Sequence, residues 1–237
     1  MTTLLLRLAG PMQSWGVTGK FSTRSTGREP SKSGVLGLVA AALGRGREEP
    51  LTDLTALRYG VRIDQEGTFL RDYHTAHNPE NTKLAYLTER HYLADAVFLV
   101  GLEGDPVLLT AIEQALRHPF YPLFLGRRSC PPAGRLSLGL REGTLEEALD
   151  REEWQAAEWY RRRMPAEVDL ETVCDADGRG DGGLVWDNPV SFSPDRRVHA
   201  PRSTARNLRG KRMVNPSGRK PGPAVTEHDA IAQLRGA

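Results

Sequence analysis

The apolar run Thr3-Leu4-Leu5-Leu6-Arg7-Leu8-Ala9 ends at Gly10-Pro11, and the loop and helix beyond that turn restrict the fold more than any other stretch. A polar, basic loop runs from Gln13-Ser14-Trp15-Gly16 through Lys20, Arg24 and Arg28 into Lys32–Gly44, whose alanines, leucines and valines predict a helix. A strand, a basic loop and a helix N-terminus therefore come in succession. Free backbone N–H groups and the positive end of the helix dipole favour an anion at that terminus, typically phosphate. A nucleotide-binding P-loop would need G-x-x-x-x-G-K-[ST]. Gly27-Arg28-Glu29-Pro30-Ser31-Lys32-Ser33 is one residue short and has Ser31 where the second glycine belongs, so an ATPase is rejected. Gly34 and Gly37 also fit a helix packed closely on a sheet, a reading that leaves Lys20, Arg24, Arg28 and Lys32 unexplained.

The 237 residues are enough for one substantial core, or a smaller core with an appended unit. No apolar run is long enough to span a membrane, and the stretch from Thr2 to Leu8 is too short for a signal peptide. Cys130 and Cys174 have no C-x-x-C spacing, which predicts a cytoplasmic protein with free thiols. A net charge of +2 hides a polarity along the chain. Residues 1–141 balance at +4, residues 142–187 at −9 and residues 188–237 at +7. No acidic residue occurs from Arg196 to Thr226, so the basic C-terminal block predicts nucleic acid or an acidic protein face as its partner.

Leu51, Leu54 and Leu57 recur at helical spacing, Val61 and Ile63 begin a strand, and Thr68–Thr75 reads as another. Turn-rich residues 77–83 separate this from Leu84–Leu93, so residues 72–93 predict a protruding hairpin or arm for a partner, with Asp95–Leu102 returning as a buried strand. Pro106 opens a helix through Arg117 with Leu108, Ile112 and Leu116 as its apolar stripe. In Tyr121–Pro131, Arg127 and Arg128 beside Gly126 and Ser129 suit a phosphate or an acidic side chain. Strand, helix, strand, strand, helix, strand is the α+β, ferredoxin-like plan, a four-stranded antiparallel sheet with helices on one face. RNA-recognition motifs share this plan, although their aromatic signature is absent here.

The strings LRLAGPMQSWG (Leu6–Gly16), TRSTGREPSKSGVLGLVAAALG (Thr23–Gly44), RDYHT (Arg71–Thr75) and YPLFLGRRSCP (Tyr121–Pro131), with the looser Arg90–Ala96, resemble the CasD family of the type I-E CRISPR surveillance complex, Cascade. The resemblance covers Leu4 to about Gly139 and is weak afterwards. It implies a ferredoxin-like, RNA-recognition-motif-like domain with a thumb, in a non-catalytic subunit acting in antiviral defence. Such a subunit caps one end of the complex and holds the repeat-derived 5′ handle of the guide RNA (crRNA). It contacts the adjacent backbone subunit and the large subunit, and meets target DNA only through the complex.

Single-stranded RNA is held by phosphate contacts and by bases stacked on aromatic or guanidinium planes. On this reading Lys20, Arg24, Arg28 and Lys32 face handle phosphates, and Gln13, Ser14 and Ser33 are polar partners. Trp15 is a stacking platform or a core side chain. Arg127 and Arg128 grip RNA or pair internally, and Tyr73 and His74 also lie on the RNA side. Leu84, Tyr86, Arg90 and Tyr92 are the subunit contacts of the thumb, which spans about residues 72–93.

Members of a related CRISPR subtype cut precursor RNA with tyrosine, lysine and histidine, so Tyr73-His74 is the catalytic alternative, a metal-free endoribonuclease. A protein-only scaffold is the other. No cofactor or metal is expected: His74-x-x-His77 lacks companion ligands, and Asp175–Gly182 has Arg179 where a calcium ligand belongs. Thr144 and Glu147 form a capping box. The chain divides into residues 1–140 with the thumb, an acidic then basic, less regular β-containing part at 141–203 packed on it, and a basic tail at 204–237. That tail holds a Pro/Gly linker and a terminal helix, Glu227 to Leu234.

Overall fold

The structure is a computed structural model that describes residues 1–16, 19–20, 22–78, 81–176 and 183–219; for residues 19, 20, 76, 78 and 81–84 it describes the backbone. The terminal helix expected at Glu227 to Leu234, the Pro/Gly linker from residue 220 and the acidic turn at residues 177–182 lie outside the described residues. The strands are β1 (Thr2–Ala9), β2 (Met12–Gln13), β3 (Gly19–Lys20), β4 (Thr23–Arg24), β5 (Arg58–Gln65) and β6 (Thr68–Asn78). They continue as β7 (Asn81–Ala94), β8 (Val97–Gly104), β9 (Ser137–Glu142), β10 (Glu167–Asp175), β11 (Leu184–Ser191) and β12 (Val198–Val214). The helices are α1 (Lys32–Ala42), α2 (Thr52–Thr55), α3 (Pro106–Arg117), α4 (Leu145–Arg151) and α5 (Glu158–Arg161).

Leucine density in β1 is explained by its place. It is paired antiparallel on both sides, with β8 and β9, and buried on both faces. Leu4, Leu6 and Leu8 enter the main core with Val35, Leu36 and Val39 of α1 and Leu109, Ile112 and Leu116 of α3. Leu5 faces the other way, into a second core under Leu145, Ala148 and Leu149 of α4. Helices therefore cover both faces of the sheet, where one face was expected. Capping of α4 begins as the sequence predicts, with Thr144 and Glu147 exchanging side-chain and backbone hydrogen bonds. Gly101 makes the close approach possible, since a Cβ there would collide with Leu145.

The main sheet runs β11-β12-β10-β5-β8-β1-β9, with every pair of neighbours antiparallel. Chain after residue 141 both covers and extends the first sheet: α4 packs on its second face, and β10 hydrogen-bonds to the free edge of β5 and carries β12 and β11 outward. The tail boundary at residue 204 falls inside β12, so residues up to Val214 are sheet rather than tail. Arg62 and Asp64 lock this junction. Both are fully buried and bidentate, and Arg62 also donates to the carbonyls of Leu149, Glu152 and Glu153 at the end of α4. A buried pair persists only with its remaining donors and acceptors satisfied, and here Asp64 accepts from the Gln155 amide as well.

A second sheet carries the arm. β6 and β7 pair in register from Thr68↔Ala94 to His77↔Ala85, so the hairpin begins earlier than residue 72. Its root is fixed by β2 against β7 and by the parallel pair β4–β7. Phe69, Tyr73, Tyr86 and Leu87 are exposed along it.

Candidate nucleic-acid interface

Ser31 caps α1, its Oγ accepting from the Gly34 amide at 3.2 Å. The anion at this helix N-terminus comes from the chain itself. Asp187 of β11 accepts from the Lys32 amide at 2.8 Å, and Arg202 of β12 donates to the same carboxylate through Nε at 2.6 Å and Nη2 at 3.1 Å. Arg202 also pairs with Asp175 at 2.7 Å, and Asp175 accepts from the Lys32 ammonium at 2.9 Å and the Tyr59 amide at 3.0 Å. Burial disfavours the Arg202 charge, but the hydrogen bond and charge of Asp187, then the charge of Asp175, raise its pKa above the ordinary guanidinium value.

This network corrects the phosphate assignment of Lys32. Its side chain is 5% exposed and committed to Asp175. Physically, the acidic block that the sequence sets apart supplies the counter-charge for the basic loop. Gln13 is a second correction: it is fully buried, donating to the Leu8 and Ala96 carbonyls and accepting from Trp15 Nε1 at 3.0 Å. Trp15, 1% exposed in the main core, is packing and not a stacking platform. Ser14 is buried and donates to the His91 carbonyl, and Ser33 is buried beside Ser31, so neither faces a ligand. Arg28 is exposed and paired with Glu66 at 3.0 Å. The Lys20 and Leu84 side chains lie outside the described residues.

The cationic surface that remains lies at the root of the hairpin. β4 places Arg24 directly opposite Arg90 of β7, and paired residues share a face. The turn Leu125–Cys130 is closed by Leu125 N–H to the Cys130 carbonyl and Cys130 N–H to the Arg127 carbonyl, and it carries Arg127 to the same place, with exposed Arg128 next in the chain. It depends on Gly126, at φ +85°, where a Cβ would collide with the Ser14 carbonyl.

Arg127 donates to the Arg24 carbonyl at 2.8 Å and lies over the Tyr92 ring, 4.7 Å from its centroid. Tyr92 is therefore corrected from an exposed thumb contact to a buried platform. Burial pushes its phenol up, but hydrogen bonds from Ser129, Arg127 and Arg90 bring its pKa below the ordinary value. Among the described residues none of Arg24, Arg90, Arg127 and Arg128 has an acidic partner. Arg90 Nε and Arg127 Nη1 are shielded from bulk solvent and donate to no described protein atom. Arg90, assigned to the thumb surface from sequence, belongs to this cluster. Its signal was the spacing of Arg90 and Tyr92 on one strand face, two residues apart.

Tyr73 and His74 are both exposed but point to opposite faces of β6, as successive strand residues must. Tyr73 lies by Arg71 and opposite Glu89, whereas His74 shares its face with Asp72, 3.9 Å away, and with Arg90. They do not form a pair around one scissile phosphate. Tyr86 is exposed on the arm. Among the described residues no group of three or more His, Cys, Asp or Glu could hold a metal ion, and no helix is long and apolar enough to cross a membrane.

A mixed α/β scaffold with an extended antiparallel sheet, a long hairpin and an arginine cluster at its root defines a recognisable class of protein. The chain belongs to the CRISPR-associated protein family Cas5: the family model matches residues 3–204. It is similar to the CRISPR system Cascade subunit CasD of Escherichia coli (strain K12), 40% identical over an alignment of 157 residues, with 57% of this chain and 70% of that protein covered. A crystal structure of a Cas protein is 38% identical with a TM-score of 0.69, covering 93% of this chain and all of that one. A chain of a CRISPR RNA-guided surveillance complex is 30% identical with a TM-score of 0.73, covering 93% and 94%.

Proposed function

We propose that this chain is a non-catalytic subunit of a type I-E CRISPR surveillance complex that holds the 5′ handle of the crRNA on Arg24, Arg90, Arg127 and Arg128. The observation that carries the reading is the cluster itself. Three arginines from three separate segments, Arg24, Arg90 and Arg127, meet with Arg128 next in the chain. Among the described residues none of them has an ion-pair partner, although Asp72 stands opposite Arg90; the neighbouring Arg28 and Lys32 each have one. Guanidinium groups suit phosphate, and Arg127 is held in place over Tyr92 and against the Arg24 carbonyl. The strand order β9-β1-β8-β5 with α1 and α3 between strands supports a ferredoxin-like, RNA-recognition-motif-like core.

The β6–β7 hairpin, with Tyr86 and Leu87 exposed, is the thumb that meets an adjacent backbone subunit. The assembly is cytoplasmic, contacts the large subunit, and meets target DNA through the complex. Opposite orientation of Tyr73 and His74 supports a binding role over cleavage.

The test is binding of a labelled 5′-handle RNA by the full chain across a salt series. Arg24→Ala, Arg127→Gln and Arg128→Ala together lower the log–log salt slope by about 2, at roughly 0.7 per phosphate on a single strand. Arg28→Ala leaves the slope near the parent value. An unchanged slope in the triple variant overturns the phosphate assignment, RNA shortened in EDTA favours the endoribonuclease, and no affinity at all favours a protein-only scaffold.

A further inference from the structure

Between the basic loop and the C-terminal strands lies an open cavity of about 420 Å³ that the arginine cluster does not use. Val61, Val173 and Val185 give it an apolar lining, and Asp187 and Arg202 close one wall. At its rim Glu29 accepts from Arg206, which also pairs with Glu171, and Arg28 stands alongside. We propose that this cavity receives one unpaired nucleobase of the bound RNA, an inference that rests on the RNA-binding reading above.

The chemistry selects a base over a phosphate. An anion entering here meets the carboxylates of Glu29 and Asp187, and the Arg202 donors are already engaged by Asp187 and Asp175. A nucleobase has flat apolar faces for the valine wall and an edge bearing both donors and acceptors. The rim offers both: Glu29 accepts through the oxygen that Arg206 does not hold, Arg28 donates through nitrogens that Glu66 does not hold, and the plane of the paired Arg206 guanidinium stacks on a base.

Position agrees with chemistry. Residues 24–28 run directly from the cluster, where Arg127 holds the Arg24 carbonyl, to the cavity rim at Arg28. Four residues span at most about 14 Å. An RNA strand leaving the arginines therefore reaches the cavity within a few nucleotides, with its base splayed inward and its phosphates outside.

Two wall positions allow a clean test. A Cβ built at Gly183 meets no described atom within 4 Å, and half-buried Val185 lines the cavity two residues further on. Gly183→Phe and Val185→Trp would fill the space without disturbing the Asp187–Arg202 network. The experiment measures binding of intact 5′-handle RNA, and of a series each lacking one base, to the full chain and both variants, with melting curves to confirm folding.

One abasic position weakens binding to the parent about tenfold, and each filling variant weakens binding of intact RNA by a similar factor. Combining variant and abasic RNA adds little further loss. Parent-like affinity of both folded variants, or losses that multiply at every abasic position, overturns the base pocket while leaving RNA binding intact. Failure of the parent to bind intact RNA overturns the RNA reading itself, and this inference with it.

Discussion

Asp187→Asn isolates the charge at the start of α1 with little change of shape. The Asp187 carboxylate takes three hydrogen bonds, from the Lys32 amide and from two nitrogens of Arg202, and it is almost wholly buried. Breaking a buried ion pair by removing one partner costs about 3–5 kcal/mol. The lower end applies here, about 3 kcal/mol, because Arg202 keeps Asp175 at 2.7 Å and the asparagine oxygen still accepts one bond. For a chain of this size each kcal/mol moves the melting midpoint by about 2–4 °C, so a fall of roughly 6–12 °C is expected. Urea titration of the parent, Asp187→Asn, Arg202→Met and the double variant measures the coupling, and the double variant loses at least about 1 kcal/mol less than the two singles added. A loss under about 0.5 kcal/mol, or strict additivity, would refute the claim that Asp187 supplies the counter-charge for the α1 N-terminus and Arg202.

Burial, then the charge of Glu146, pushes the Cys174 thiol from an ordinary 9.0 up to about 12. A folded thiol that keeps its proton where the unfolded one has lost it makes stability full below about pH 9, and stability falls as pH rises toward about 12. The loss on going from pH 7 to pH 10 is on the order of 1 kcal/mol, and Cys174→Ala removes that contribution from the urea midpoint; an identical pH dependence in both proteins argues against it. Gly126→Ala forces a Cβ into the Ser14 carbonyl at positive φ, and destabilises by roughly 3 kcal/mol or more in a thermal melt, with loss of RNA affinity as the Arg127 turn opens; a folded, binding-competent variant contradicts the turn geometry.

Much of the fold was legible because local pattern and tertiary place agree. Doubly apolar β1, the Pro106 start of α3 and the Thr144–Glu147 box all form where the sequence puts them. Leu109, outside the stripe read from sequence, is buried on α3 as well, since a packed helix face is wider than one line of residues. The site was less legible. Charge in the basic loop showed that an anion would be met, but the anion is Asp187, 155 residues from Lys32, and no local spacing encodes a contact of that range. Gln13 and Trp15 read as ligand groups because their polar atoms need partners, and the core supplies those partners through each other and through the Leu8 and Ala96 carbonyls.

The same pairing changes what the charge blocks mean. A C-terminal segment with ten basic and three acidic residues would by itself attract polyanions. In the folded chain Arg202, Arg206 and Arg212 are spent on Asp175, Asp187, Glu171, Glu29 and Asp169, so much of the block is neutralised across neighbouring strands. What is left for a polyanion is set by where the carboxylates are absent. At the hairpin root they are sparse: Asp72 stands opposite Arg90 without pairing to it, Glu89 faces Arg71 and His91 on the other side of the strand, and Arg24, Arg90, Arg127 and Arg128 have no acidic partner among the described residues. Affinity for nucleic acid should therefore follow these four residues rather than net charge, which a variant reversing C-terminal charge and one reversing the cluster would separate.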